Sequence, residues 1–211
     1  MDLQKLGECV ITGDAKTAIE LTTAGIEEGM APDTILNDGL IPGMTVVGVR
    51  FKAMEMFIPE VLLSARAMKA SLALLEPLLI ECGIKPIGIV MLGTVRGDLH
   101  DIGKNLVGMM LQGAGFEIID LGVDVSTEKF VEEAQKHNPD VIGFSALLTT
   151  TMVMMERNIK ALRKAGITAP ILIGGAPISQ VYADQIGADG YGKDGVQAVE
   201  ITKEVLEAES D

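Results

Sequence analysis

Tryptophan is absent from the 211 residues, and five Phe and two Tyr make up the whole aromatic complement. A core built from this chain must therefore pack Leu, Ile, Val, Ala and twelve Met, a side chain that fills irregular space and adapts to bulky apolar partners. Cysteine is nearly as scarce. Cys9 and Cys82 lie far apart and outside any CxxC pattern, which excludes a disulfide framework and reads as two buried thiols in a reducing compartment. Long apolar runs are missing too: the best, near Leu72 to Ile80, contains Glu76 and Pro77 and is far too short to span a bilayer. The opening Met1-Asp2-Leu3-Gln4-Lys5 has neither the basic nor the apolar region of a signal peptide, so a soluble cytoplasmic protein is expected. Positive charge is in deficit. Seventeen Lys and Arg against thirty Asp and Glu leave a net charge of −13, which repels a polyanion and argues against sequence-independent nucleic-acid binding.

What is present changes character near Gly83. Before it the apolar spacing is helical: Ile58, Val61, Leu62, Ala65, Met68, Leu72, Leu75 and Leu79 recur at three and four residues, with Glu60, Arg66 and Lys69 between them. Four helices are expected, over 2–12, 14–29, 33–52 and 58–81, with Asp14 as an N-cap and Pro59 in a first turn. Pro42-Gly43 should kink or break the third. This pattern predicts a helical bundle over residues 1–84. From 85 to 211 short apolar runs alternate with helical segments. Strands are expected at 86–92, 116–121, 141–145, 171–173 and 190–191, and helices near 101–113, 127–137, 152–165, 178–186 and 194–207. That order predicts an α/β fold, a doubly wound, Rossmann-like (flavodoxin-like) parallel sheet. Such sheets bind ligands beyond the carboxyl ends of their strands, so the informative residues should lie just after each strand.

The first such loop runs from Gly93 to Asn105. A dinucleotide fingerprint fails, because Gly93, Gly97 and Gly103 are spaced four and six apart. A phosphate loop fails as well: five residues separate Gly97 from Gly103, and Asn105 stands where Ser or Thr should hold magnesium. What remains is a histidine in a glycine-rich loop with Asp98 two residues before it. A loop histidine by itself is commonly a solvated side chain. Asp-x-His offers more, since a carboxylate on one ring nitrogen fixes the tautomer and leaves the other free for a metal. His137, before Asn138-Pro139, reads as a surface residue. A zinc site takes about three or four protein ligands, and none cluster here. A metal on His100 would need its remaining coordination from something other than protein, as a macrocycle provides.

Gly97-Asp98-Leu99-His100-Asp101-Ile102-Gly103 resembles the Asp-x-His-x-x-Gly motif of cobalamin-binding domains. Ser145-Ala146-Leu147-Leu148-Thr149-Thr150-Thr151 resembles their Ser-x-Leu segment after the third strand, and Gly174-Gly175-Ala176 their glycine pair after the fourth. The resemblance implies cobalamin or a related corrinoid, cycling between methylcob(III)alamin and cob(I)alamin, with His100 as axial ligand to cobalt. It implies an Asp98–His100–Thr151 relay that accommodates a proton when the histidine leaves the metal. Gly97, Asp101, Ile102 and Gly103 would flank the ring. Ser145, Leu147 and Thr149 would meet the displaced benzimidazole, and Gly174, Gly175 and Ala176 would give the nucleotide tail its path. Read without the resemblance, Thr149 or Thr151 could equally be a helix N-cap, and the glycines a tight turn.

The helical half resembles the cap joined to such domains in methionine synthase and in small corrinoid proteins of methyltransferase systems. Phe57-Ile58-Pro59-Glu60, Ser64-Ala65-Arg66-Ala67-Met68 and Leu75-Glu76-Pro77 carry the likeness, which spans residues 3 to 207 and leaves no segment for a catalytic barrel. Met54, Met56, Phe57 and Met68 are candidates for the methyl face. The implied protein is a methyl carrier, not a complete enzyme. A substrate-specific methyltransferase would load it from a methylamine, a quaternary amine, methanol or a methoxylated aromatic. A second methyltransferase would move the methyl to a pterin or thiol, and a reductive activator would rescue oxidised cobalt. A cobalamin-dependent sensor or regulator is the alternative, although such proteins usually add a DNA-binding helix-turn-helix that is absent here.

Overall fold

A computed structural model describes residues 1–208; residues 209–211, the end of the expected second domain, lie outside the described residues. The chain forms two compact units. One comprises Met1–Ile87 with Gln112–Gly115, the other Gly88–Leu111 and the residues from Phe116 onward.

The first unit is helical: α1 (Leu3–Thr12), α2 (Ala15–Glu27), α3 (Pro32–Thr34), α4 (Ile41–Lys52) and α5 (Ile58–Glu81). Asp2 and Asp14 cap α1 and α2 by accepting from the backbone N–H of Lys5 and Thr17. Hydrogen bonds from the Thr17 side chain and backbone hold the Asp14 carboxyl below its ordinary range. Pro42 does not break the third helical stretch. A π-helical segment, Ile35–Leu40, joins α3 to α4, and the N–H of Ile41 reaches the carbonyl of Leu36, five residues back. The widened ladder relieves the clash of the proline ring with the carbonyl four residues before it. Along α5, Val61, Ala65, Met68, Leu72, Leu75 and Leu79 are buried, the face that the spacing predicts. Pro59 sits in its first turn, and Glu60 accepts from the N–H of Phe57 at 2.7 Å. Cys9 is a free, buried thiol, but Cys82 is exposed because it lies past the last turn of α5. No helix of the described residues is long and apolar enough to cross a membrane.

The second unit alternates β1 (Ile89–Thr94), α6 (Ile102–Gly113), β2 (Glu117–Asp120), α7 (Thr127–His137), β3 (Val141–Ser145), α8 (Thr149–Lys164), β4 (Ile171–Gly174), α9 (Gln180–Ile186), β5 (Gly190–Gly192) and α10 (Gly195–Ala208). All strand pairs are parallel, in the order β2-β1-β3-β4-β5, the flavodoxin-like arrangement. Strands covered on both faces read as continuous apolar runs, which is why β1 and β3 are buried almost throughout. Phe130 of α7 meets Phe144 of β3 edge to face, ring centroids 4.8 Å apart. The register aligns Thr94 with Ser145, Ser145 with Gly174, and Gly174 with Gly192, placing a row of small residues across the carboxyl edge. β1 starts three residues later than the apolar run suggests, because Pro86 has no N–H to give a sheet. His137 closes α7 beside Lys136, its Nε2 3.1 Å from a Glu133 carboxylate oxygen.

Candidate functional site

Strand order reverses between β1 and β3, so their carboxyl ends mark the sheet's switch point, where doubly wound folds bind ligands. Two loops meet there. The chain leaves β1 at Thr94 and turns through Gly97, whose φ of +82° suits glycine and whose N–H donates to Asp124 at 2.7 Å. Asp124 in turn donates its own N–H to the Asp98 carbonyl at 3.0 Å, so the turn is braced from the β2–α7 connection.

Asp98 is fully buried and has a donor for each oxygen. Its Oδ1 accepts from the His100 backbone at 3.1 Å and lies 2.6 Å from His100 Nδ1. Its Oδ2 accepts from the N–H groups of Leu147 and Leu148 at 2.8 and 3.3 Å and from the Thr151 hydroxyl at 2.6 Å. Burial alone would raise its pKa. The hydrogen bonds from Thr151, the Leu147 backbone and both groups of His100 outweigh that and hold the carboxyl well below the usual carboxylate range. An ionised Asp98 can only accept, so the proton of the imidazole sits on Nδ1. Nε2 is left without a partner from Asp98, on a side chain that is 51% exposed.

The same carboxylate braces the start of α8. The N-cap residue, Leu148, contributes no side-chain bond of its own, and Asp98 Oδ2, from the β1–α6 loop, accepts from the two N–H groups just before the helix and from the Thr151 hydroxyl in its first turn, a negative charge where a helix N-terminus favours one. Helix α8 accordingly begins at Thr149, three residues before the expected start. Neither threonine is the N-cap. Thr149 is exposed in the first turn, while Thr151 is buried and donates to Asp98 and to the Leu148 carbonyl. Leu147 meets Asp98 through its backbone and leaves its side chain exposed, as do Leu148, Leu99 and Ile102, so the histidine's two loops present apolar surface to water. Asp101 is exposed and accepts from Asn105, and a Cβ on Gly103 would meet nothing within 4 Å. Ser145 ends β3 half-buried, in register with Thr94 and Gly174.

The glycine pair has reasons internal to the protein. A Cβ on Gly175, at φ +131°, would stand 1.8 Å from the Ala146 carbonyl oxygen, and one on Gly174 would stand 2.9 Å from that of Gly192. Ala176 follows them, exposed. Of the candidates in the helical unit, Met54 and Phe57 are exposed, whereas Met56 and Met68 are buried. Sequence reasoning missed three contributors: Thr94, whose buried hydroxyl donates to the His100 carbonyl at 2.9 Å; Asp124; and the buried ammonium of Lys104, 2.6 Å from both carboxylate oxygens of Asp120.

A flavodoxin-like sheet with a carboxylate-held histidine at its switch point defines an α/β ligand-binding domain. Residues 88–200 match the B12 binding domain family, and residues 2–76 match a second family of the same description. The chain is 43% identical over 209 residues to a corrinoid protein of Desulfitobacterium hafniense and 41% identical over 208 residues to the dimethylamine corrinoid protein of Methanosarcina barkeri, covering 97% of each chain in both cases. The methanol:cobalamin methyltransferase complex of Methanosarcina barkeri contains a chain of the same fold: TM-score 0.86 at 31% identity, over 96% of this chain and 78% of that one. The chain belongs to the family of corrinoid proteins with a B12 binding domain, and its cofactor is a corrinoid. The donor set fits that group. Among the described residues no three His, Cys, Asp or Glu side chains gather to hold a metal ion, and a cobalt already ringed by a macrocycle needs a single protein nitrogen.

Proposed function

We propose that this protein is a methyl carrier: a substrate-specific methyltransferase loads it, and a second methyltransferase unloads the methyl to a pterin or thiol. When bound, the corrinoid supplies a cobalt that can take up a methyl cation and give it away. The observation that carries the reading is the Asp98–His100–Thr151 chain, at 2.6 Å for each side-chain link, with Nε2 left free. In this reading His100 would hold the cobalt through Nε2. Asp98 keeps the proton on Nδ1, and Thr151 with the Leu147 N–H keeps Asp98 ionised. An Nε2 not engaged with a metal could take a proton. The resulting imidazolium faces a buried carboxylate that stabilises it, so the relay can meet both states of the histidine without rearranging. The names of the relatives, dimethylamine and trimethylamine corrinoid proteins, support a small methylated amine as the source of the methyl group. A reductive activator would restore cobalt oxidised between turnovers.

Electron paramagnetic resonance of the Co(II) form, with nitrogen-15 in the protein only, tests the ligand. Hyperfine coupling to a protein nitrogen is expected in the parent. His100→Ala should abolish it while some corrinoid remains bound, because the residues expected to meet the benzimidazole and the tail lie in other segments. Coupling only to unlabelled nitrogen in the parent would sink the reading.

A further inference from the structure

Asp98 holds the imidazole of His100, but it does not by itself fix where the histidine backbone stands. Thr94 does this. It is the last residue of β1 and is fully buried. Its N–H donates to Gly122, its carbonyl accepts from Val125, and it lies in register with Ser145 of β3. Its hydroxyl then reaches six residues along the chain to the His100 carbonyl at 2.9 Å. The histidine is thus tied at its N–H and ring by Asp98 and at its carbonyl by the buried end of β1. We propose that Thr94 is a positioning residue for the axial histidine, transmitting the rigidity of β1 to the place where Nε2 meets the metal. The inference rests on His100 being that ligand. The physical ground is that a ligand on a loop is held in productive geometry only as well as the groups behind it are held. The hydroxyl is fully buried and has the His100 carbonyl as its acceptor, so removing it takes away the one bond that ties this carbonyl to the end of β1 and leaves the loop freer to shift.

Thr94→Val deletes the donor at nearly constant volume, and Thr94→Ser restores it. Paramagnetic resonance of the Co(II) corrinoid form should show the ratio of histidine-ligated to unligated cobalt falling roughly fivefold in Val, the scale of one neutral hydrogen bond, and returning in Ser. In the cofactor-free protein the proton shared by His100 Nδ1 and Asp98 should exchange faster with solvent in Val, as read by proton nuclear magnetic resonance, and again recover in Ser. Parent-like ligation and parent-like exchange in a folded Val variant overturn the proposal. If the parent shows no protein-nitrogen coupling, the ligand assignment fails instead, and the exchange measurement still decides whether Thr94 positions the ring. Should Val prevent folding, Thr94→Ala makes the same deletion with a smaller side chain. Failure of both to fold, while Ser folds, assigns the hydroxyl to the fold rather than to the histidine and overturns the proposal.

Discussion

The two oxygens of Asp98 serve different elements, one the histidine loop and the other the start of α8. A carboxylate can accept on both sides, but an amide cannot. Asp98→Asn keeps one accepting oxygen and turns the other into a donor that faces either the His100 Nδ1–H or the N–H of Leu147. The variant is expected to lose about 3 kcal/mol of stability, because buried donors are left opposed and a charge-assisted pair is removed. Urea unfolding at neutral pH checks this, and a loss below about 1 kcal/mol would mean that the carboxylate's charge is not what holds these donors. Asp98 and His100 were legible in the sequence, since Asp-x-His is a short pattern with a chemical reason, whereas Thr151 was reached only through the resemblance to cobalamin-binding domains. Thr94 and Asp124 were not. A threonine at a strand end and an aspartate in a turn are ordinary, and their role exists only once the chain brings residues 94 and 100, or 97 and 124, together.

Between elements, α1 and α4 of the helical unit approach each other closely at glycines. A Cβ on Gly43 of α4 would stand 2.8 Å from the carbonyl oxygen of Gly7 in α1 and 2.9 Å from the Cβ of Val10. Alanine would gain about 0.5–1 kcal/mol of helix propensity over glycine. The clash is with backbone, which has no rotamer to yield, and overpacking of this kind costs about 1–3 kcal/mol. Gly43→Ala should therefore lower the midpoint of thermal unfolding despite its better propensity, and an unchanged or raised midpoint would show that α1 can step aside. The sequence announced Pro42-Gly43 as trouble and predicted a kink. It could not say that the helix would absorb the proline by widening into a π segment, because that depends on what packs against residues 35–40. Strands β1, β3 and β4 were legible for the opposite reason: burial on both faces writes itself as apolar runs, whereas the edge strands β2 and β5 showed mainly through their place between helical segments. The start of α8 fell in between. Three successive threonines are poor helix formers, and the carboxylate that braces this helix start comes from Asp98, some fifty residues upstream.

At the scale of the whole chain, a net charge of −13 and an isoelectric point near 4.6 set how molecules meet one another. Like-charged copies repel at neutral pH, and that repulsion vanishes as carboxylates protonate near the isoelectric point. Once it has gone, the sheet decides how copies can associate. One outer strand, β2, is four residues long and carries Glu117 and Asp120 at its ends; the other, β5, is Gly190-Tyr191-Gly192. Strands this short, charged or glycine-rich are poor templates for a foreign strand. Light scattering should stay flat at pH 7 and rise near pH 4.6, yet the precipitate should bind no amyloid dye and should redissolve when the pH is restored. A dye-positive deposit would show that an edge had been breached. The row of rigid parallel strands that presents the histidine is, seen from its two margins, also a fold that gives fibrils nowhere to begin.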